Sequence, residues 1–309
     1  MNCQNFINIK DAIAIAIDKL ENSIKLNNLS GIKSGFMELD FLTGGFQKSD
    51  FIVLAGRAGQ GKTDFALNIM RNVAVDYDIP VAFFNFELSF ANLIQRLLCA
   101  EANINFLNMK SGKMSEKHWE LLNMRVGRLA SAPIYIYNNS ILLSELCEQI
   151  RKIKQEKNNG LVIIDYLQLI RMPEIIENAR SENYIISLIS KELKLLAKEL
   201  EIPIIAISPL NNKGINKPKL SDFNEFESLA QDADIVIFIH RPETYENEIS
   251  DENRNLAEII ISKNRNGAVG EFNLTFQKEY CRFEKRITIS KIELEEMIKG
   301  NRKKISLKE

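Results

Sequence analysis

The chain has 309 residues, 45% of them hydrophobic, which is enough for a large buried core, and its 40 basic and 41 acidic residues leave a formal net charge of -1. That balance excludes attraction to DNA or a membrane by overall charge, so any such contact must be local. Four scattered cysteines (Cys3, Cys99, Cys147, Cys281) exclude a disulfide framework and a paired zinc site, and no apolar stretch nears the roughly 20 residues of a bilayer span, so a reducing cytoplasmic setting without membrane insertion is expected.

The run AIAIAI at 12–17 resembles a signal-peptide core, but Asp11 and Asp18 bracket it and no basic region precedes it, so no targeting signal is read. Ile13, Ile17, Leu20 and Ile24 draw one apolar stripe on a helix that ends near Asn27 and Asn28. Two readings stay open for it: a helix packed on its own domain, or an arm docking on a neighbouring subunit.

From Asp50 onward, apolar runs alternate with helical segments. FIVLA (51–55) predicts a buried strand, and Gly56-Arg57-Ala58-Gly59-Gln60-Gly61-Lys62-Thr63 follows it and opens a helix. This octapeptide fits G-x-x-x-x-G-K-S/T in the strand-to-helix setting that its chemistry requires. Glycines let the backbone wrap phosphates, and the helix N-terminus offers unpaired N–H groups. Lys62 brings a positive charge to the β and γ phosphates, and Thr63 can ligate magnesium. Residues 56–64, through Asp64, are the candidate nucleotide contacts, with ATP and Mg2+ as the expected cofactors.

VAFFNF (81–86) predicts the next strand, with Glu87 just past its end as a candidate general base; an N-cap or surface acid is the plainer alternative. A helix near 91–100, YIY (135–137), a helix at 144–157 and LVIID (161–165) continue the series. Asp165 closes that last strand, where a carboxylate can hold magnesium, directly or through water. A helix at about 182–200, PIIAIS (203–208) and IVIFIH (235–240) follow. AEIIISKN and EFNLTFQ flank a tight Asn266-Gly267 turn signal and predict a C-terminal β-hairpin. The stretch from Lys285, with Arg302, Lys303 and Lys304, reads as a helix and a frayed tail. The whole is an α/β fold: a mostly parallel central sheet, helices on both faces, and that hairpin.

Taken together, GIKSGFMELDFLTGG (31–45), the phosphate loop, FFNFELS (83–89), LVIIDYLQLI (161–170), LKLLAKELEIPIIAIS (193–208), QDADIVIFIHR (231–241) and IIISKNRNGAVGEFNLTF (259–276) resemble the DnaB family, from about Ile9 to Glu284. The resemblance implies a RecA-like ATPase domain over 31–285, preceded by a linker helix in 1–30 and followed by a polar tail over 286–309. It implies a homo-oligomer, a hexameric ring, that binds ATP between subunits and moves along single-stranded DNA in the compartment where DNA replicates. It implies that Glu87 is the catalytic base and Asp165 the magnesium-organising acid. Lys263 and Arg265 are implied to reach the γ phosphate of the neighbouring subunit, although charge alone reads them as a solvated basic hairpin. DnaB proteins usually carry an N-terminal helical collar that helps to recruit primase. That collar is expected to be missing here, leaving ring assembly to the linker helix and the motor domain, with primase or a loader as a further partner.

Two segments depart from the family pattern. Where a Gln-Leu-Asn-Arg run is usual, with the Gln sensing the γ phosphate, this chain has Pro209-Leu210-Asn211-Asn212, and proline supplies neither a side-chain donor nor a backbone N–H. Where the DNA-contacting loop usually reads Arg-Glu-Ser-Gly, it has Asn224-Glu225-Phe226-Glu227, losing a phosphate-binding cation and gaining a negative charge. Lys213, Lys217 and Lys219 either replace that charge or belong to a solvated loop. The leading expectation is an ATP-driven DNA helicase motor. The alternative is a nucleotide-binding replication accessory with degenerate DNA coupling. A recombinase or clock-type RecA-like ATPase is the third reading, against which the IDYLQL and KNRNG segments speak.

Overall fold

Strands buried on both faces read as unbroken apolar runs, and such runs pair in parallel when helices cover each side. The computed structural model describes residues 8–11, 13, 14, 17, 21, 30–173, 181–210, 214–245, 250 and 253–286. In chain order these form α1 (Met37–Thr43), β1 (Phe51–Gly56), α2 (Lys62–Arg71), β2 (Val81–Asn85), α3 (Phe90–Ala102), α4 (Phe106–Lys110), α5 (Glu116–Ser131), β3 (Ile134–Tyr137) and α6 (Leu143–Lys157). They continue with β4 (Leu161–Asp165), α7 (Glu182–Leu200), β5 (Ile204–Pro209), α8 (Glu227–Asp232), β6 (Ile235–His240), β7 (Leu256–Asn264), β8 (Gly270–Gln277) and β9 (Arg282–Lys285).

The strands make one sheet in the order β3-β2-β4-β5-β1-β6-β7-β8-β9. β1 to β6 pair in parallel, whereas β7, β8 and β9 are added antiparallel at one side. Because side chains alternate along a strand, each run feeds two cores. Val53, Ala55, Val162 and Ile164 pack with Leu146 and Ile150 of α6 and Ile189 and Leu193 of α7. Ile52, Leu54, Ile163 and Ile205 pack with Leu39 of α1, Phe65 and Ile69 of α2 and Leu93 and Leu97 of α3.

The hairpin forms, but its turn is not tight. The β7–β8 ladder ends at Ile261 and Gly270, because Lys263 and Asn264 pair instead with Val236 and Ile235 of β6, across a register shift between Val236 and Ile237. Gly267 accordingly does not take the positive φ that a two-residue hairpin turn demands. Among the described residues of the N-terminal helix, Ile9, Ile13 and Ile17 are 74%, 51% and 48% exposed, so this part of the stripe is not covered by its own domain. Leu20 and Ile24 lie outside the described residues, as do Asn211, Asn212, Lys213 and the tail from 287, with Arg302, Lys303 and Lys304.

Candidate active site

In a parallel sheet, the loops that leave the C-terminal ends of the strands share one edge, and helix N-termini point at it. β1 ends there at Gly56, the loop turns, and α2 begins at Lys62. Gly59 (φ 75°) and Gly61 (φ 90°) take left-handed backbone that only glycine adopts cheaply. α2 has no side-chain N-cap, so its first-turn N–H groups remain available to an anion.

Lys62 folds its ammonium back onto the loop, donating to the carbonyl oxygen of Arg57 at 3.0 Å. Burial pushes its pKa down, while Asp165 and Glu87 pull it up, so these three charges share one neighbourhood. Asp165 ends β4 fully buried, with no hydrogen-bond partner for either carboxylate oxygen. Burial is the main reason its pKa rises to about 7; Glu87 and Asp64 push the same way, and the Thr63 hydroxyl and Lys62 oppose them. Thr63 is thus close enough to act on the carboxylate without bonding it at hydrogen-bond geometry. A buried carboxylate without a partner, beside a hydroxyl and a helix N-terminus, fits a hydrated divalent cation. Among the described residues no group of three His, Cys, Asp or Glu side chains could hold a metal by itself, so such a cation takes its other ligands from water and phosphate.

Glu87 is exposed on the turn after β2. Three hydrogen bonds that the sequence reading missed hold that turn. Asn85 donates to the Leu88 carbonyl at 2.6 Å and accepts from the Leu88 N–H at 3.1 Å, and Phe86 N–H donates to the Asp165 carbonyl at 2.8 Å. The available signal was an Asn closing an apolar strand, a residue that bonds its own turn.

The remaining loop residues diverge. Ala58 and Gly59 are exposed. Gln60 is buried and bonded to the Thr244 hydroxyl at 2.8 Å, the Tyr245 hydroxyl at 3.3 Å and the Arg241 N–H. Arg241, which the sequence reading gave no role, also donates to the Gly59 carbonyl at 3.1 Å and pairs with Glu243. The carboxylate of Asp64 turns to Arg96 of α3, at 2.6 Å, so Asp64 offers the phosphate position its main chain only. Gln168, past Asp165, donates to the Ser208 hydroxyl at 3.0 Å, and its own carbonyl oxygen is buried without a partner. Next to Ser208, Pro209 stands opposite Gly56 in the β1–β5 register, and Leu210 N–H donates to the Gly56 carbonyl at 3.0 Å.

Lys263 and Arg265 lie elsewhere. Lys263 donates to the carbonyls of Ala230 and Gln231 at 2.7 and 2.9 Å, closing α8, and burial first, then Arg265, lowers its pKa. Arg265 pairs with Asp234 at 3.3 Å and is 53% exposed. Asp234 also accepts from Phe51 N–H at 2.8 Å, at the start of β1. Both cations therefore sit at the edge where β1 and β6 begin, and the phosphate loop lies at the other end of a six-residue strand, roughly 17 Å away. In the segment before β6, a 3-10 turn over Leu220–Phe226 leads into α8, where Glu227 is exposed and accepts from Gln231 at 3.3 Å. The Asn224 side chain lies outside what is described. Lys217 is not a spare cation, since Glu258 and Glu271 hold it at 2.9 and 3.0 Å, whereas Lys219 is exposed.

Comparison with known proteins supplies the frame for this geometry. Residues 31–285 match the model of the DnaB-like helicase C-terminal domain. The chain is 43% identical over 289 residues to the replicative DNA helicase DnaC of Bacillus subtilis (strain 168), covering 91% of this chain and 63% of that protein. It is 44% identical over 287 residues to the replicative DNA helicase DnaB of Geobacillus stearothermophilus, covering 90% and 62%. It thus spans less than two thirds of the length of these relatives. Among solved structures, an ATPase domain superposes with a TM-score of 0.82 at 33% identity, covering 91% of this chain and 99% of that one. A DnaB-like replicative helicase, solved with attention to its interactions with primase, gives 0.79 at 33% identity, covering 90% and 67%.

Proposed function

Because the chain belongs to the family of DnaB-like helicase C-terminal domains, we propose that it is an ATP-hydrolysing DNA helicase motor that works in DNA replication as a ring, a hexamer, with ATP bound between subunits. The observation that carries this reading is the division of charged groups between two sheet edges. Lys62, Thr63 and Asp165 gather at one, with the turn of Glu87 beside them; Lys263 and Arg265 stand at the other, out of reach of their own phosphate loop. A head-to-tail neighbour joins the two halves, and repeated head-to-tail contact closes into a ring.

In this reading Lys62 and the first-turn N–H groups of α2 bind and orient the phosphates. Thr63 and Asp165 would hold the magnesium ion that accompanies the nucleotide, which neutralises charge on the phosphates. Glu87 takes a proton from the attacking water, and the partner copy's exposed arginine meets the charge that develops on the γ phosphate, which makes hydrolysis depend on assembly. Single-stranded DNA is the track, a primase or loader a further partner, and the site of DNA replication the setting.

The test is complementation. Glu87→Gln and Arg265→Ala are each expected to bind ATP and to hydrolyse it at under about 1% of the wild-type rate. When the two purified variants are mixed under conditions of subunit exchange, activity should return, because roughly a quarter of randomly formed head-to-tail interfaces unite an intact Glu87 with an intact Arg265. No recovery, with Lys62→Ala as the blank, sinks the shared site. The relatives named above are replicative helicases, which does not favour the accessory alternative; hydrolysis indifferent to single-stranded DNA would restore it.

A further inference from the structure

Arg57 is the second residue of the phosphate loop, yet its side chain leaves the loop. Its guanidinium is buried, donates to the Asn216 carbonyl at 2.8 Å, faces the Asp222 carboxylate at 3.5 Å and lies over the Tyr245 ring, 6.0 Å from its centroid. The fit against the 214–222 segment is close: a Cβ on Gly214 would stand 3.0 Å from the guanidinium. Gln60, three residues on in the same loop, bonds the hydroxyl of that same Tyr245. The main chain of Arg57, meanwhile, carries the carbonyl to which Lys62 donates.

We infer that Arg57 is a positioning residue that couples the state of the phosphate loop to the 214–222 segment and, through the 3-10 turn that follows, to the start of α8. The inference rests on the motor reading above. Lys62 has two competing acceptors, the Arg57 carbonyl when the loop is empty and phosphate oxygens when it is filled, and a charge-assisted bond to phosphate is the stronger. Transfer of the ammonium to phosphate frees the peptide at the root of Arg57. A buried guanidinium keeps its carboxylate, because breaking such a pair strands a charge away from water. The segment that carries Asp222 therefore follows Arg57. The path acts beside Pro209, which carries no donor for a phosphate, and it ends next to Asn224 and Glu227, the segment that the family resemblance assigns to DNA.

Coupling of this kind is reciprocal and read as a ratio of affinities. The experiment measures binding of a labelled oligo-thymidylate by anisotropy, with magnesium and either ADP or a non-hydrolysable ATP analogue, for the wild type, Asp222→Asn and Asp222→Glu. Asn keeps an acceptor for the Lys219 N–H, which Asp222 now binds at 3.1 Å, but drops the charge. The wild-type ratio is expected at about fivefold or more. Asp222→Asn should bring it to within about twofold of one while leaving basal hydrolysis and the KM for ATP unchanged, and Asp222→Glu should restore it. A wild-type ratio that Asp222→Asn retains overturns this inference alone, as does loss of basal hydrolysis together with the ratio, which would mark a structural role. A wild-type ratio of one overturns the motor reading, and this inference with it.

Discussion

Single residues in this chain hold buried or unpartnered charge where the sheet meets its loops. Asp50, just before β1, is buried and accepts from Gln47 N–H at 2.8 Å. Burial drives its carboxyl up to about 6; Asp234 adds to that rise, and the Gln47 amide and Lys194 oppose it. A raised folded-state pKa means that the folded protein keeps a proton the unfolded chain gives up. Its contribution is therefore full below about pH 4 and is lost as pH rises through 6. Asp50→Asn does not titrate, so it should match the wild type near pH 4 and exceed it at pH 8, by up to about 3 kcal/mol and several degrees of melting temperature. A melting-temperature gap that stays constant between the two pH values would refute the assignment. At this scale the sequence singled out Lys62, Thr63 and Asp165 by type and spacing, and the structure brings them to one edge. The sequence did not yield Asn85, Arg241 or the partners of Gln60, because Thr244 and Tyr245 come to the loop from 184 and 185 positions away, and no local pattern encodes such a meeting.

At the scale of elements, Lys263 shows that a family motif can carry a local duty. Its ammonium closes α8 through the Ala230 and Gln231 carbonyls, and cations stabilise helix C-termini. Lys263→Ala should lower stability in urea by about 1 kcal/mol and speed amide exchange in α8. Arg265→Ala should cost less, since its ion pair with Asp234 is half exposed and such pairs contribute little. Equal losses would contradict the capping role. Arg265→Ala is thus the cleaner probe of hydrolysis. The buried strands were legible because both their faces are covered, which leaves a run such as FIVLA or LVIID without polar interruption. α5 was missed although Trp119, Leu122, Val126 and Leu129 recur at helical spacing and Ser115 and His118 cap each other: none of its residues is fully buried, so the stripe is interrupted by polar and small residues and reads weakly. The Asn266-Gly267 signal misled because it reports two strands, while the end of β7 is claimed by a third, β6.

For the molecule as a whole, the sheet joins a phosphate-loop edge to an arginine-bearing edge by strands that tolerate no slip: shifting β1 by one residue would exchange the side chains of its two cores. The spacing between the edges is therefore a property of the fold and not of any loop. On the proposed reading neither half-site is complete alone, so hydrolysis per chain should fall on dilution, steeply once the concentration drops below that at which copies associate, and light scattering should show mass falling in step. A rate per chain that holds constant as the mass falls to one copy would refute the proposed site.

The same opposition of edges sets a rule of counting. In the proposed head-to-tail arrangement, an open arc leaves one end copy lending its arginine to no one and the other end copy receiving none, so the complete sites number one fewer than the chains. Only closure makes the two numbers equal. Such a ring, opened to admit a strand, would carry one idle site at the gap, and the return of that site to work would report that the gap has shut.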